Sequence, residues 1–294
     1  MKNFNDVYEK IYVQWQPRLE QLRNEAKKET IIKITMLIVG FFSCIFGMMN
    51  ENFISVIFGI FVLIISLLIF HKRNSTYNNE FKDKVITAIV KSYTDNLSYS
   101  PNSGISSVTY IDGEFERFDR YKSEDGIRGE LEHGYKINMS EVHTEDRYTD
   151  SDGNTHYTTL FHGLFAKVEI DKYIPTKIRI RKNTIKFFDN EERIEMDSGE
   201  FEKMYDIYSS NKIVAMQLFT SDLLQMFVDF KDIKPELTIK GNLIYIRFET
   251  GNVFEANIFQ DALDYKTLKR YYDIIGFVLK LAEIMKKNIK ETEI

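Results

Sequence analysis

The stretch NFISVIFGIFVLIISLLIFHKR, Asn52 to Arg73, decides how the rest of this chain must be read. From Phe53 to Phe70 it runs eighteen residues without a charge or a proline, and its only polar side chains are Ser55 and Ser66. A serine hydroxyl can bond back to a carbonyl of its own helix, so both are expected to be satisfied locally. At about 1.5 Å per residue, such a helix reaches about 27 Å, close to the ~30 Å apolar core of a bilayer. The run is expected to cross a membrane.

Immediately upstream, IIKITMLIVGFFSCIFGMM (Ile31–Met49) is of similar length, and its one charge, Lys33, lies near the start. A lysine there can extend its ammonium to the headgroups while its stem stays among the lipids. Only Asn50, Glu51 and Asn52 separate the two runs. Residues 31–73 are therefore expected to form an antiparallel transmembrane hairpin, with spans at about 31–49 and 53–70 and the lipid bilayer as partner of residues 31–70. Lys27, Lys28 and Lys33 precede the first span, His71, Lys72 and Arg73 follow the second, and the tip has no Lys or Arg. The positive-inside rule then places both termini in the cytoplasm, a two-pass arrangement in the inner membrane. Two buried helices of a soluble protein could share this composition. A cleaved signal peptide fits poorly, because some thirty largely polar residues come first.

Across all 294 residues, 39 Lys and Arg against 44 Asp and Glu leave a formal charge of -5. That balance argues against nucleic acid as a partner. A single cysteine, Cys44, rules out an intrachain disulfide and a thiolate metal cluster. Abundant Lys, Ile, Asn, Tyr and Phe beside four prolines suggest an AT-rich bacterial genome.

Residues 1–30 read as an amphipathic cytoplasmic helix running into the first span: Phe4, Tyr8, Ile11, Trp15, Leu19, Leu22 and Ala26 form one stripe. Leu268, Tyr271, Ile275, Val278, Ala282, Met285 and Ile289 repeat the spacing near the other end. Each stripe is expected to pack on the folded domain. The alternative is that the terminal helices pair with each other, with a second copy or with a protein partner. Residues 74–107 read as a membrane-proximal helix, with Phe81, Val85, Ile89 and Val90 on one side, followed by a linker at SYSPNSGISS (Ser98–Ser107).

Residues 108–294 are expected to fold as an α+β domain of mostly antiparallel sheet with flanking helices. Turn signatures at His133-Gly134 and Asp150–Asn154 delimit a three-stranded meander, KIRIRK reads as a further strand, and a hairpin is expected around Gly241-Asn242 and Gly251-Asn252. In the last of these, Ile244, Ile246 and Phe248 alternate with Tyr245 and Arg247, the pattern of a half-buried sheet. NKIVAMQLFTSDLLQMFVDF has one helical stripe in Val214, Leu218, Leu223, Phe227 and Phe230.

Chemistry is sparse. DSDGN opens like a calcium loop, but its twelfth position is Phe161 where a bidentate Glu is needed, so a hairpin turn is the reading. His143, His156 and His162 with Glu141, Glu145 and Asp146 could suggest a metal site. Strand geometry opposes it: His156 and His162 would stand about 20 Å apart, and His143 meets His162 in only one of the plausible registers. No metal and no cofactor is expected. The mixed charges of RFDRYKSEDGIRGE read as a solvated network. Glu124, Asp125, Glu141 and His143 are the groups available for acid–base chemistry, although Glu124 and Asp125, being adjacent on a strand, should face opposite ways.

The series YSPNSGIS, FDRYKSEDGIRGEL, MSEVHTE, TLFHGLFAKVEIDK and YDIYSSNKIVAMQLFT, in that order from Tyr99 to about Phe254, resembles the bacterial family called domain of unknown function 3137. The matching positions are Tyr121, Glu124, Asp125, Gly129, Ser140, Glu141, Val142, Phe161, Gly163, Leu164, Phe165 and Tyr208. The chain departs where the family tends to have an aromatic followed by Asn, carrying Ile170 and Asp171 instead. The resemblance implies a two-span hairpin upstream and transfers no activity. Gly163 is expected to permit close backbone approach or a bulge, and Glu124-Asp125 to pin a turn. The expected role is membrane-anchored binding or scaffolding, docking a protein partner or small ligand at the inner leaflet. The alternative is a membrane-proximal hydrolase or transferase.

Overall fold

The computed structural model describes residues 3–69, 72–131, 134–183 and 191–291. It divides into two compact units, Met1–Ile89 with Phe254–Lys269 and Val90–Val253 with Arg270–Ile294.

In the first unit, Asn3 caps α1 (Phe4–Met49), which runs unbroken through the expected amphipathic stretch into the apolar run. Its buried positions Phe4, Ile11, Leu19, Leu22 and Ala26 follow the expected stripe. By length and composition it is one helix able to cross a membrane, near the N-terminus. After a turn at Glu51 with φ of 53°, α2 (Phe53–Ile69) returns alongside it. Close approach depends on glycine: a Cβ on Gly59 would lie 2.5 Å from Cys44 Sγ, and one on Gly40 would lie 3.0 Å from the Gly59 carbonyl oxygen. Polar side chains bond between the helices, where bonds within one helix were expected. Ser66 Oγ donates to the Lys33 carbonyl (3.3 Å), and Ser43 Oγ donates to the Ser55 carbonyl (2.9 Å).

Then α3 (Lys72–Phe81), a π-helical turn (Lys82–Ile86) and α4 (Thr87–Tyr93) follow as one helical run. The π turn rotates the apolar face, so Val85, Ile86, Ile89 and Val90 are all buried. Residues 254–269 belong to this unit, a departure from the expected single 108–294 domain. Tyr8 donates to the Leu263 carbonyl (3.0 Å), and the Ala256 N–H donates to Asn78 (2.9 Å). These bonds tie the segment to α1 and α3.

The second unit is a mixed α/β fold around a seven-stranded sheet with antiparallel pairings throughout. Its strands are β1 (Leu97–Ser100), β2 (Arg120–Glu130), β3 (Lys136–Thr149), β4 (Thr155–Lys182), β5 (Glu192–Ile194), β6 (Tyr205–Ser209) and β7 (Glu236–Phe248), in spatial order β1-β2-β3-β4-β6-β5 with β7 also on β4. β2, β3 and β4 form the expected meander. Asp150 closes its second turn as a hairpin, with Oδ1 accepting the N–H groups of Asp152 (3.0 Å) and Asn154 (2.8 Å). Of the other turn signature, His133 lies outside the described residues.

Four expectations are corrected. The 98–107 linker contains β1, which pairs with β2, and is followed by α5 (Ser107–Asp112). KIRIRK is no separate strand but the end of β4, 28 residues long. β7 passes straight through Gly241, whose φ of +62° absorbs a register shift opposite Ile174 where a hairpin turn was expected. Its two faces are both covered, since Tyr245 is as buried as Ile244 and Ile246. The covering layer is the segment after β1: Tyr110 meets Phe165 (4.8 Å between centroids), and Phe115 stacks under Arg247 (4.6 Å) and Arg181 (4.5 Å).

The single helix expected at 211–230 is two, α7 (Lys212–Leu218) and α8 (Ser221–Asp229), after the short α6 (Gly199–Glu202). Asn288 donates to the Leu218 carbonyl (2.8 Å) and to Thr220 Oγ1 (3.2 Å), satisfying the break from α9 (Tyr265–Glu291). The α9 stripe Leu268 to Ile289 is buried as expected, with Phe277 edge-on to Phe227 and Phe248.

Candidate functional site

Alternation along β2, β3 and β4 divides the meander into two faces. Val142, Phe161 and Phe165 enter the aromatic core with Ile105, Tyr110 and Tyr245. Glu124, Glu141, His143 and His162 take the opposite face, around a pocket of about 180 Å3 that Lys122, Ser123 and Asn252 also line. Three of the four acid–base candidates, Glu124, Glu141 and His143, thus line one pocket. Asp125 is elsewhere: fully buried at a bulge with φ of 58°, it accepts from the Tyr99 hydroxyl, and its N–H donates to the Pro101 carbonyl (3.0 Å). It pins the turn between β1 and α5, the structural role expected for it.

Register decides the rest. Around the Asp150 turn, Thr149 pairs with Thr155 and Glu145 with Thr159, a symmetric count that would put His143 opposite Phe161. A bulge between Thr144 and Glu145 shifts the pairing by one, so His143 meets His162. Their rings stack with centroids 4.4 Å apart and 22° between planes. Glu124 pairs across β2 and β3 with Glu141, and Lys122 with His143.

Glu141 is buried and both its oxygens are engaged. Oε1 lies 2.9 Å from His162 Nε2, and Oε2 accepts the Val253 N–H at 2.8 Å. An ionised carboxylate only accepts, so the bond uses the His162 tautomer that donates from Nε2. Val253 reaches the site because Gly163 lets the chain after β7 press onto β4: a Cβ there would lie 1.9 Å from the Phe248 carbonyl oxygen. The expectation of a close backbone approach at Gly163 is met. His143 Nε2 bonds Thr159 Oγ1 (3.0 Å), and Lys122 Nζ donates to Glu124 (2.9 Å).

The arrangement can accept or donate protons and bind a small polar group. The Ser123 hydroxyl is engaged within the strands: it bonds Ser140 Oγ (2.7 Å) and the Glu141 carbonyl (2.9 Å) and receives the Ile105 N–H (3.1 Å). His162 and Asn252 were not among the expected site residues. The histidine pair was legible only in one register, and Asn252 comes from a distant part of the chain. Of the membrane-flanking residues, Lys28 is exposed and Lys27 and Lys33 half-buried on α1, while the side chains of Lys72 and Arg73 lie outside the described residues.

On the other face lies a partly buried charge cluster. Glu114, with φ of 54°, takes ion pairs from Arg179, Lys177 (2.9 Å) and Lys240 (3.1 Å). Burial raises its pKa, but the hydrogen bonds of Lys177, Lys240 and Arg179 outweigh that and hold it down at about 2. Arg247 pairs with Glu116 and Glu236 (2.6 Å). These bonds clamp the segment 113–118 onto β4 and β7.

An antiparallel sheet with flanking helices, preceded by a long apolar helix, is the class of protein these elements define. Residues 159–287 match the family model described as Protein of unknown function (DUF3137), so the domain of unknown function 3137 is present over β4 to α9. The match confirms the resemblance from Thr159 onward and carries it past Phe254 to α9. No curated protein matches the chain. The crystal structure of the mycobacterial trehalose monomycolate transport factor A, TtfA, is similar at 8% identity and a TM-score of 0.37, over 70% of this chain and 97% of that one.

Proposed function

We propose that the chain is a two-pass membrane protein of the inner membrane, both termini cytoplasmic, whose sheet unit binds a partner or small ligand at the inner leaflet. The supporting observation is where apolar surface is left in contact with solvent. Phe42 (63%), Phe53 (80%), Ile54 (80%) and Leu68 (77%) are among many large side chains exposed along α1 and α2 between residues 31 and 68. A water-soluble protein does not leave a continuous apolar surface of that extent uncovered. Hydroxyl bonds between the two helices, such as Ser66 to the Lys33 carbonyl, suit a pair that has no water to satisfy its polar groups. Lys27, Lys28 and Lys33 stand at one end of the pair, and the Asn50–Asn52 tip carries no base.

Membrane fractions washed with alkaline carbonate test the anchor: the chain stays in the pellet, and release into the supernatant contradicts the reading. A photo-crosslinking residue at Lys122 in cells tests the binding role. A discrete adduct is expected, and its absence under repeated trials counts against it.

A second reading, a hydrolase or transferase acting near the membrane, is favoured by the meeting of Glu124, Glu141 and His143 with His162. His162, oriented by Glu141, would be the base and Glu124 a second carboxylate. It requires turnover of an activated ester or phosphate monoester by the purified full chain that His162→Ala abolishes. Absence of turnover returns the pocket to binding alone.

A further inference from the structure

We infer that the facing His143 and His162 rings form a binding site for a divalent transition-metal ion of the zinc class, with Glu141 orienting His162 from outside the coordination shell. The inference is independent of the membrane reading and rests on the geometry of β3 and β4. Opposed positions on antiparallel strands hold their Cβ atoms about 4.5–5.5 Å apart. The bulge after Thr144 gives His143 and His162 that relation, with ring centroids 4.4 Å apart. Zinc takes imidazole nitrogens at about 2.0–2.1 Å along their in-plane lone pairs, so binding requires the two rings to rotate out of their stack, where 22° separates the planes, until one nitrogen from each points at a common ion.

The hydrogen bonds also favour this use. Glu141 Oε1 engages His162 at Nε2, so in the neutral tautomer that donates to the carboxylate the lone pair is on Nδ1. Thr159 Oγ1 engages His143 at Nε2, so Nδ1 is the open nitrogen there too. A carboxylate that holds the far nitrogen of a ligating histidine is the usual support of such a site, and Glu141 is itself held by the Val253 N–H. The pocket of about 180 Å3 has room for an ion and its waters, with Glu124 and Asn252 as nearby oxygen donors. Lys122 opposes the ion: it pairs with His143 in register, and its ammonium lies 2.9 Å from Glu124.

If the two rings only stack as neighbours in a sheet, no ion dependence follows. The test uses the full chain in detergent, purified without a polyhistidine tag, stripped with a chelator, and titrated with Co2+ by visible absorption and with Zn2+ by competition against a chromophoric chelator. One equivalent is expected. His143→Gln and His162→Gln should each weaken it at least tenfold and Glu141→Gln about tenfold, while Lys122→Gln should tighten it. His156→Gln, on the same hairpin, should leave it unchanged. Zn2+ should also raise the melting temperature of the wild type and not that of either histidine variant. Should His162→Gln fail to fold, His143→Gln, whose ring is half-exposed, carries the comparison. Absence of a Co2+ band and of Zn2+ retention overturns the inference, as does binding that survives both histidine variants.

Discussion

At the scale of single residues, glycine and charge do work that spacing alone does not reveal. Gly163→Ala places a Cβ 1.9 Å from the Phe248 carbonyl oxygen, so β7 must shift. Denaturant unfolding should show a loss of about 1–3 kcal/mol or more, the range of an overpacked core. Arg247→Ala removes the guanidinium that pairs with both Glu236 and Glu116 and should cost about 3–5 kcal/mol in the same measurement. Glu114 is lowered on folding from the ordinary 4.5 to about 2, so its stabilisation is present above 4.5 and fades as pH falls toward 2. Glu114→Gln should therefore lower stability near pH 7 by about 1–2 kcal/mol, allowing for solvent screening, and flatten the stability profile between those values. An unchanged slope would remove Glu114 from the acid response. The close approach at Gly163 was legible in FHGLF, because a glycine inside a strand has few other uses. His143 against His162 was not, since one bulged residue reverses which side chains meet and nothing local marks it.

At the scale of elements, apolar periodicity marked the long helices well. The α9 stripe is buried at its expected positions, and so is the α1 stripe except at the half-buried Tyr8 and Trp15, because an amphipathic helix has one face to hide. What failed were breaks and continuations set by distant partners. α7 and α8 separate where Asn288 caps the gap, and β7 runs through Gly241 because β4 supplies a partner on both sides of the kink. The α1–α2 pair gives a prediction at this scale. Gly59→Leu puts a side chain where a Cβ already lies 2.5 Å from Cys44 Sγ and 2.7 Å from the Gly40 carbonyl oxygen. The helices should separate, and a cysteine pair engineered across them, at Ser43 and Ser55, where the Ser43 hydroxyl lies 2.9 Å from the Ser55 carbonyl, should lose its disulfide crosslink. A crosslink formed at the unchanged rate would show that glycine does not set their spacing.

At the scale of the whole molecule, chain order and spatial grouping part company. Residues 254–269, the start of α9 included, group with the N-terminal helices while α9 from Arg270 onward belongs to the sheet unit, a division that a sequence read from end to end does not display. The apolar run is visible in composition, and its exposed side chains support the proposal that α1 and α2 enter and leave the bilayer from one side. The direct measurement is labelling by an impermeant maleimide on a Cys44→Ser chain carrying one new cysteine, at Glu51 on the tip or at Asp152 on the β3–β4 turn. If both spans cross, intact cells label Glu51→Cys alone, and Asp152→Cys labels only after permeabilisation. Labelling of both sites only after lysis, with the chain in the soluble fraction, would contradict it.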